Sequence, residues 1–170
     1  PRDVVIADTT AGDDTAGGSF DAGSPNTFTP SNDDAVVDAS TIAAALNGGT
    51  DVTITTGTTG GQAGNITTTA GVTWTTSNTL TLSAAGDITL SQNFVGTAGT
   101  LALNAAGAIS QTAGVIKVAT LTAGAGGAVS LDQNNEIGIL GAFSAGGNFT
   151  LKDTTGGIIL TGVSSGTAGT

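Results

Sequence analysis

From residue 50 onward the apolar positions fall in short alternating runs separated by Gly-x corners, and the runs repeat. The first apolar residue after successive corners is Ile66, Ile88, Ile109, Val129 and Phe149, with steps of 22, 21, 20 and 20. A second column, Trp74, Val95, Ile116, Ile137 and Ile158, advances by 21 each time. A third, Leu82, Leu103, Ala123 and Phe143, steps by 21, 20 and 20, with Leu80, Leu101 and Leu121 beside it. The local text repeats too: TLTLSAAGDITL at 79–90, TLALNAAGAIS at 100–110 and TLTAGAGGAVSL at 120–131. An earlier copy, DVTITTGTTGGQAGNITT at 51–68, has a corner six residues longer before Ile66.

Period-2 alternation within each run is the mark of a strand with one buried face. A shared period across three columns means that each run returns to the same place one repeat later. One repeat cannot bury its inner face alone, whereas stacked repeats bury it on their neighbours. The pattern therefore predicts an all-β chain built as a parallel β-solenoid, with rungs of 20–22 residues and three walls. Five rungs between residues 50 and 160 would give a rod of about 24 Å. An antiparallel sandwich also has short strands and turns, but nothing requires its columns to keep one period. All three columns are assigned to the core, Trp74 included.

The first 49 residues read differently. Residues 38–48, Asp-Ala-Ser-Thr-Ile-Ala-Ala-Ala-Leu-Asn-Gly, predict a short helix near 40–47, with Asp38 or Ser40 as its cap, Gly48 as its stop, and Ile42 and Leu46 on one face. So short a helix must lie against something apolar, such as an open solenoid end. Before it, Val4, Val5 and Ile6 form the one apolar run, followed by a Gly/Asp/Ser/Pro-rich stretch with Pro25, Pro30, Phe20 and Phe28. The expected division is an acidic strand-and-loop segment at 1–38, a capping or connecting helix at 39–49 and solenoid repeats at 50–170.

Composition supports extended structure: among 170 residues Thr occurs 32 times and Gly 28 times. Branched Cβ atoms favour strands, and Gly favours tight corners. Only 9% of residues are charged, yet mean hydropathy is +0.25, which is not the signature of disorder. Net charge is −10, with Arg2, Lys117 and Lys152 the only cations, so nucleic acid and anionic membrane surfaces are poor partners. No apolar run approaches the roughly 20 residues of a membrane span. Eight of the thirteen acidic residues lie in the first 38 positions.

Candidate chemistry is sparse. Without His, Cys or Tyr, acid–base work would fall on Asp, Glu136 or the two Lys. The rung acids are Asp87, Asp132, Glu136 and Asp153, of which Asp132 and Asp153, 21 apart, would be stacked neighbours at a corner. Solvated corner residues are the favoured reading, and no catalytic residue or cofactor is assigned. Asp13, Asp14, Asp33 and Asp34 are hard-oxygen candidates for calcium, but no Asp-x-Asp-x-Asp-Gly or Gly-Gly-x-Gly-x-Asp loop accompanies them. Thr-x-Thr pairs at 53/55, 73/75, 79/81 and 120/122, interrupted at Thr100/Ala102 and Asn148/Thr150, raise an ice- or carbohydrate-binding face. Two Asn-x-Thr triplets start at Asn65 and Asn148 in equivalent strand positions.

TLTLSAAGDITLSQNF at 79–94 and DDAVVDASTIAAALNGGTDVTITT at 33–56 resemble the repeats of filamentous haemagglutinin-type adhesins, the large exoproteins of bacterial two-partner secretion. The likeness covers roughly residues 26–161. It implies a right-handed parallel β-helix, export through an outer-membrane partner to the bacterial cell surface, and adhesion to a host or glycan receptor or fibre formation. The Asn-Pro-Asn-Gly-type motif of that family's secretion domain is not matched by Ser24-Pro25-Asn26-Thr27, so the resemblance implies the repetitive shaft. The expectation is a non-catalytic structural or adhesive segment. Copies of itself would join as a homopolymer or filament through open solenoid ends, with Val4, Val5 and Ile6 as an added assembly strand.

Overall fold

The computed structural model describes residues 1–9, 15–154 and 156–165. In chain order the elements are β1 (Val4–Ala7), β2 (Thr15–Ala16), β3 (Gly18–Phe20), β4 (Asn26–Pro30), β5 (Ala35–Asp38), α1 (Ala39–Asn47), β6 (Val52–Thr55), β7 (Ile66–Thr68), β8 (Val72–Trp74) and β9 (Thr79–Ala84). There follow β10 (Ile88–Leu90), β11 (Phe94–Ala105), β12 (Ile109–Gln111), β13 (Ile116–Ala125), β14 (Val129–Ala145), β15 (Phe149–Asp153), β16 (Ile159–Leu160) and β17 (Val163–Ser165). The chain is an all-β parallel solenoid of about four turns, with rungs about 21 residues apart.

The three walls follow from register. In the first, Ile66, Ile88, Ile109, Val129 and Phe149 are successive Cα partners. All but the half-buried Phe149, on the last rung of this wall, are buried. In the second, Leu80, Leu101, Leu121 and Leu140 stack in one column, and Leu82, Leu103, Ala123 and Phe143 in the next. Parallel hydrogen bonding holds each rung one strand spacing, about 4.8 Å, from the next, so side chains of equal direction pile into columns.

The third wall departs from the expected column. Val72 pairs with Phe94 and Phe94 with Ile116, whereas Trp74 pairs with Gly96, Gly96 with Val118 and Val118 with Ile137. The expected column Trp74–Val95–Ile116–Ile137–Ile158 thus mixes two real columns and one outward position. Val95 pairs with Thr73 and Lys117 and is half-buried, and Ile158 is only partly buried against the core. From β8 to β13 the wall steps by 22, and with a side-chain period of 2 a residue 21 along lands on the opposite face. Gly96 is required at its position, because a Cβ there would overlap the Trp74 indole. Trp74 Nε1 donates to Asn78 O at 3.0 Å.

From β13 to β14 the step shortens to 19, and beside it, at Asn135, the interior absorbs a polar group. Asn135 and Gln111 are buried and exchange two amide hydrogen bonds, each 2.9 Å. Asn135 Oδ1 also accepts from Ile116 N (2.9 Å), and its Nδ2 donates to Leu131 O (3.1 Å). Every donor and acceptor is used, as a dry interior demands.

The first 38 residues are not a separate segment. β4 pairs parallel with β6, extending the second wall, and β5 lies in the first wall. β1 lies between β5 and β7, parallel to both: Val4 faces Ala35 and Ile66, Val5 faces Val36 and Thr67, Ile6 faces Val37 and Thr68. The expected assembly strand is therefore internal to its own solenoid, with both edges occupied. The end of the stack is formed by β2, antiparallel to β5, and β3, antiparallel to β4, with Phe20 and Phe28 rings 5.5 Å apart.

Helix α1 takes the place of a third-wall strand above β8. Ile42 and Leu46 are buried, Leu46 O accepts from Thr76 Oγ1 (2.7 Å) and Asn78 Nδ2, and Asn47 Oδ1 accepts from Thr75 N (3.0 Å). Asp38 is its cap, with an extended backbone and a carboxylate accepting from Thr41 N; Ser40 donates to that carboxylate.

The register yields a paired prediction. Ile109→Asp places an unpaired charge in the dry interior and should cost roughly 4 kcal/mol or more. Val95→Asp, beside Lys117 on the outer face, should cost under about 1 kcal/mol. Urea midpoints of the two variants against the parent check it; equal losses would mean that the third-wall register is wrong.

Candidate functional site

A rod of this kind offers corners, outer wall faces and ends. The corners use the acidic and amide side chains. Asp3 Oδ1 accepts from Gly64 N (2.8 Å) and Asn65 N (2.7 Å), Asn65 Oδ1 from Asp87 N (2.8 Å), and Asp87 Oδ1 from Ala108 N (2.7 Å). Each rung's corner side chain thus satisfies an amide of the next. Asp51 does the same for Thr79 N (2.8 Å) and Asn93 for Val115 N (2.9 Å). Short polar side chains at corners bond to backbone readily, and here the bond runs between rungs. Asn65, start of one Asn-x-Thr triplet, is engaged in this ladder, whereas Asn148 is exposed.

The rung acids are not brought together. Asp132 and Asp153 are not stacked, because Leu131 pairs with Leu151 and, after a bulge, Asn135 pairs with Asp153. Asp153 Oδ1 accepts from Ile137 N at 2.8 Å. Glu136 forms an ion pair with Lys117 at 2.6 Å on the outer face of the third wall, with both side chains well exposed. The calcium candidates divide. Asp13 and Asp14 lie outside the described residues. Asp33 pairs with Arg2 at 3.4 Å, and Asp34 Oδ1 accepts from Gln62 Nε2 at 2.6 Å. Among the described residues no three acidic side chains gather as a metal site would need.

The outer face of the second wall carries hydroxyls in register. Thr79, Thr100 and Thr120 form one column, followed by Ile139 and Ile159. Thr27, Thr53 and Thr81 continue through Ala102 to Thr122 in the next. Thr73 and Thr75 belong elsewhere, beside the end of α1. On the first wall Thr67, Thr89, Ser110, Ser130 and Thr150 form an outward hydroxyl ladder, with Thr150 Oγ1 donating to Ser130 Oγ at 3.2 Å. A shallow groove of about 390 Å³ opens on the second wall where Gly124 stands between Asn104 and Ser144. Another, of about 480 Å³, runs between the first turn of α1 and the Thr69–Gly71 corner.

The two ends differ. One is closed by β2, β3 and α1. At the other, among the described residues, β16 presents Ile159 and Leu160 with 61% and 62% of their surface exposed. No family model, curated protein or solved structure matches this chain.

No single residue in the sequence announces the lane that holds β1. Its parts are Arg2, Asp3 and the corner at 56–65, and the signal was the longer corner before Ile66. Those added residues wrap the segment that precedes β1: Arg2 N donates to Thr56 O (2.9 Å) and Gln62 N to Pro1 O (3.2 Å).

The Asp38 carboxyl is shifted from its ordinary value. Burial pushes the Asp38 carboxyl up, but hydrogen bonds from the Ser40 hydroxyl and from the Thr9 and Thr41 amides outweigh it, lowering the pKa from 3.8 to about 2. A depressed pKa contributes stability that is complete above the unfolded value and is lost as pH falls through the folded one. Asp38→Ala should therefore cost on the order of 2 kcal/mol at neutral pH, and the gap to the parent should close between about pH 4 and pH 2. Urea titrations across that range measure it; a gap constant to pH 2 would assign the loss to something other than the ionised cap.

Proposed function

We propose that this chain is a non-catalytic structural and adhesive segment of a secreted bacterial surface fibre, acting through the length and outer walls of its solenoid. The observation that carries the reading is the polarity of the stack: one end closed by antiparallel strands and a helix, the other a parallel edge with exposed Ile159 and Leu160. Such an edge is a template for further strands. The resemblance of residues 26–161 to filamentous haemagglutinin-type repeats supports the same placement, at the cell surface and outside the cell. Head-to-tail joining would need two open ends, so association between copies uses the edge at β15 and β16. The corner carboxylates support a non-catalytic role, since they are engaged with backbone amides.

A second reading, a wall that binds carbohydrate or ice, is favoured by the in-register threonine columns of the second wall. Of the three successive rungs at Thr79/Thr81, Thr100/Ala102 and Thr120/Thr122, only the outer two carry both threonines.

Sedimentation velocity over a concentration series tests the first reading. The parent should self-associate at micromolar concentration and low salt, and Leu160→Lys should abolish that association without changing thermal stability; a parent that stays monomeric through the micromolar range would overturn the end-to-end part. Thermal hysteresis should be absent. Hysteresis, or a glycan-array signal that Thr100→Lys removes, would transfer the function to the threonine wall.

A further inference from the structure

β1 is first in the sequence but sits inside the first wall, between β5 and β7. The outer sides of those neighbours are already used, β5 by β2 and β7 by β10. The space between them is thus a lane one strand wide, with a hydrogen-bonding edge on each side and apolar neighbours for Val4 and Ile6, both fully buried.

The lane also reads side chains. Asp3 receives the Gly64 and Asn65 amides, and its own amide donates to Gln62 Oε1 at 2.8 Å. Gln62 in turn holds the Asp34 turn, accepting from Asp34 N (3.1 Å) and donating to Asp34 Oδ1. Arg2 pairs with Asp33, and its Nη1 donates to Thr59 O (3.2 Å). Gly64 leaves room for Pro1, because a Cβ there would collide with the proline ring. None of these contacts depends on the covalent link between β1 and β2.

We propose that this lane is a strand-acceptor site for an extended Arg-Asp-Val-Val-Ile segment, and that its partner in trans is the same segment of a second copy of this chain. Exchange preserves each of the contacts named above, which is the condition for low-cost strand swapping. The linked strand has an effective concentration of about millimolar, so exchange becomes visible as protein concentration approaches that value. Salt favours it by screening the net charge of −10 on each copy. The inference rests on the fold and not on the adhesive reading, and it does not involve the edge at β16.

The chain has no Cys, which permits a direct test. Val5 and Thr67 are outward Cα partners on adjacent strands, where the spacing of about 4.8 Å suits a disulfide. The double variant Val5→Cys/Thr67→Cys should form an intrachain bond. The single variants Val5→Cys and Thr67→Cys, mixed, concentrated at high salt and oxidised, should give a heterodimer linked between those two positions, well above the homodimer yield of either alone. Val36→Cys, facing Val5 from β5, is a second acceptor should Thr67→Cys fold poorly. Adding Asp3→Ala to the Val5→Cys copy should lower the heterodimer about ten-fold, because its strand then competes poorly with the acceptor's own; Leu160→Lys should leave the yield unchanged. Heterodimer no greater than the homodimer background, or a yield indifferent to Asp3→Ala, overturns the proposal.

Discussion

Parallel hydrogen bonding between rungs is the constraint on which the rest of this structure depends. It fixes the distance from one rung to the next, so every inward side chain must fit beneath its counterpart. It also turns each corner into a problem, because amides that leave the ladder still need acceptors. The columns answer the first demand and the Asp/Asn corner ladder the second. Where a column cannot stay aliphatic, the interior accepts a polar group only in full pairing, as with Asn135 and Gln111. Where a column must take a large group, its neighbour gives way, as Gly96 does for Trp74.

The same constraint explains why an acidic chain with few cations is compatible with a compact rod. Asp3, Asp51, Asp87 and Asp153 accept backbone amides, and Asp38 caps a helix. Charge that would otherwise only repel is used at positions where a carboxylate is the better acceptor. Lys117 and Glu136, in contrast, form an exposed pair of the kind worth little to stability.

The repeat was legible in the sequence because inward residues must be apolar and must recur. The first-wall column was read residue by residue, and helix α1 was placed within one residue by Asp38, Ile42, Leu46 and Gly48. In the third wall the aliphatic Val95, 21 residues after Trp74, masks the true partner 22 residues along, which is a glycine and carries no apolar side chain to mark the column. Only pairing resolves that, and the Gly96 beneath Trp74 was the available clue. The lane for β1 was not legible for a different reason: a strand taken out of chain order breaks no local pattern. Its trace was indirect, in the corner before Ile66 that is six residues too long for a rung and holds Gln62 and Gly64.

The two ends of the stack show how differently one constraint can be resolved. At one end the free edge is met by β2 and β3, which run antiparallel and span only two and three residues. Short, reversed strands use the edge's donors and acceptors without presenting a new parallel template, one of the ways in which sheets avoid unwanted pairing. At the other end β16 is also short, but it keeps the parallel direction and exposes Ile159 and Leu160, in register with Ile139 and Leu140. Leu160 continues the buried column of Leu80, Leu101, Leu121 and Leu140, whereas Ile159 continues the outward column through Ile139, and an exposed apolar pair of this kind fits an edge that receives another strand better than one meant to face water. The apolar pattern that builds the interior thus runs on to this edge, whereas at the opposite end the direction of the chain itself reverses.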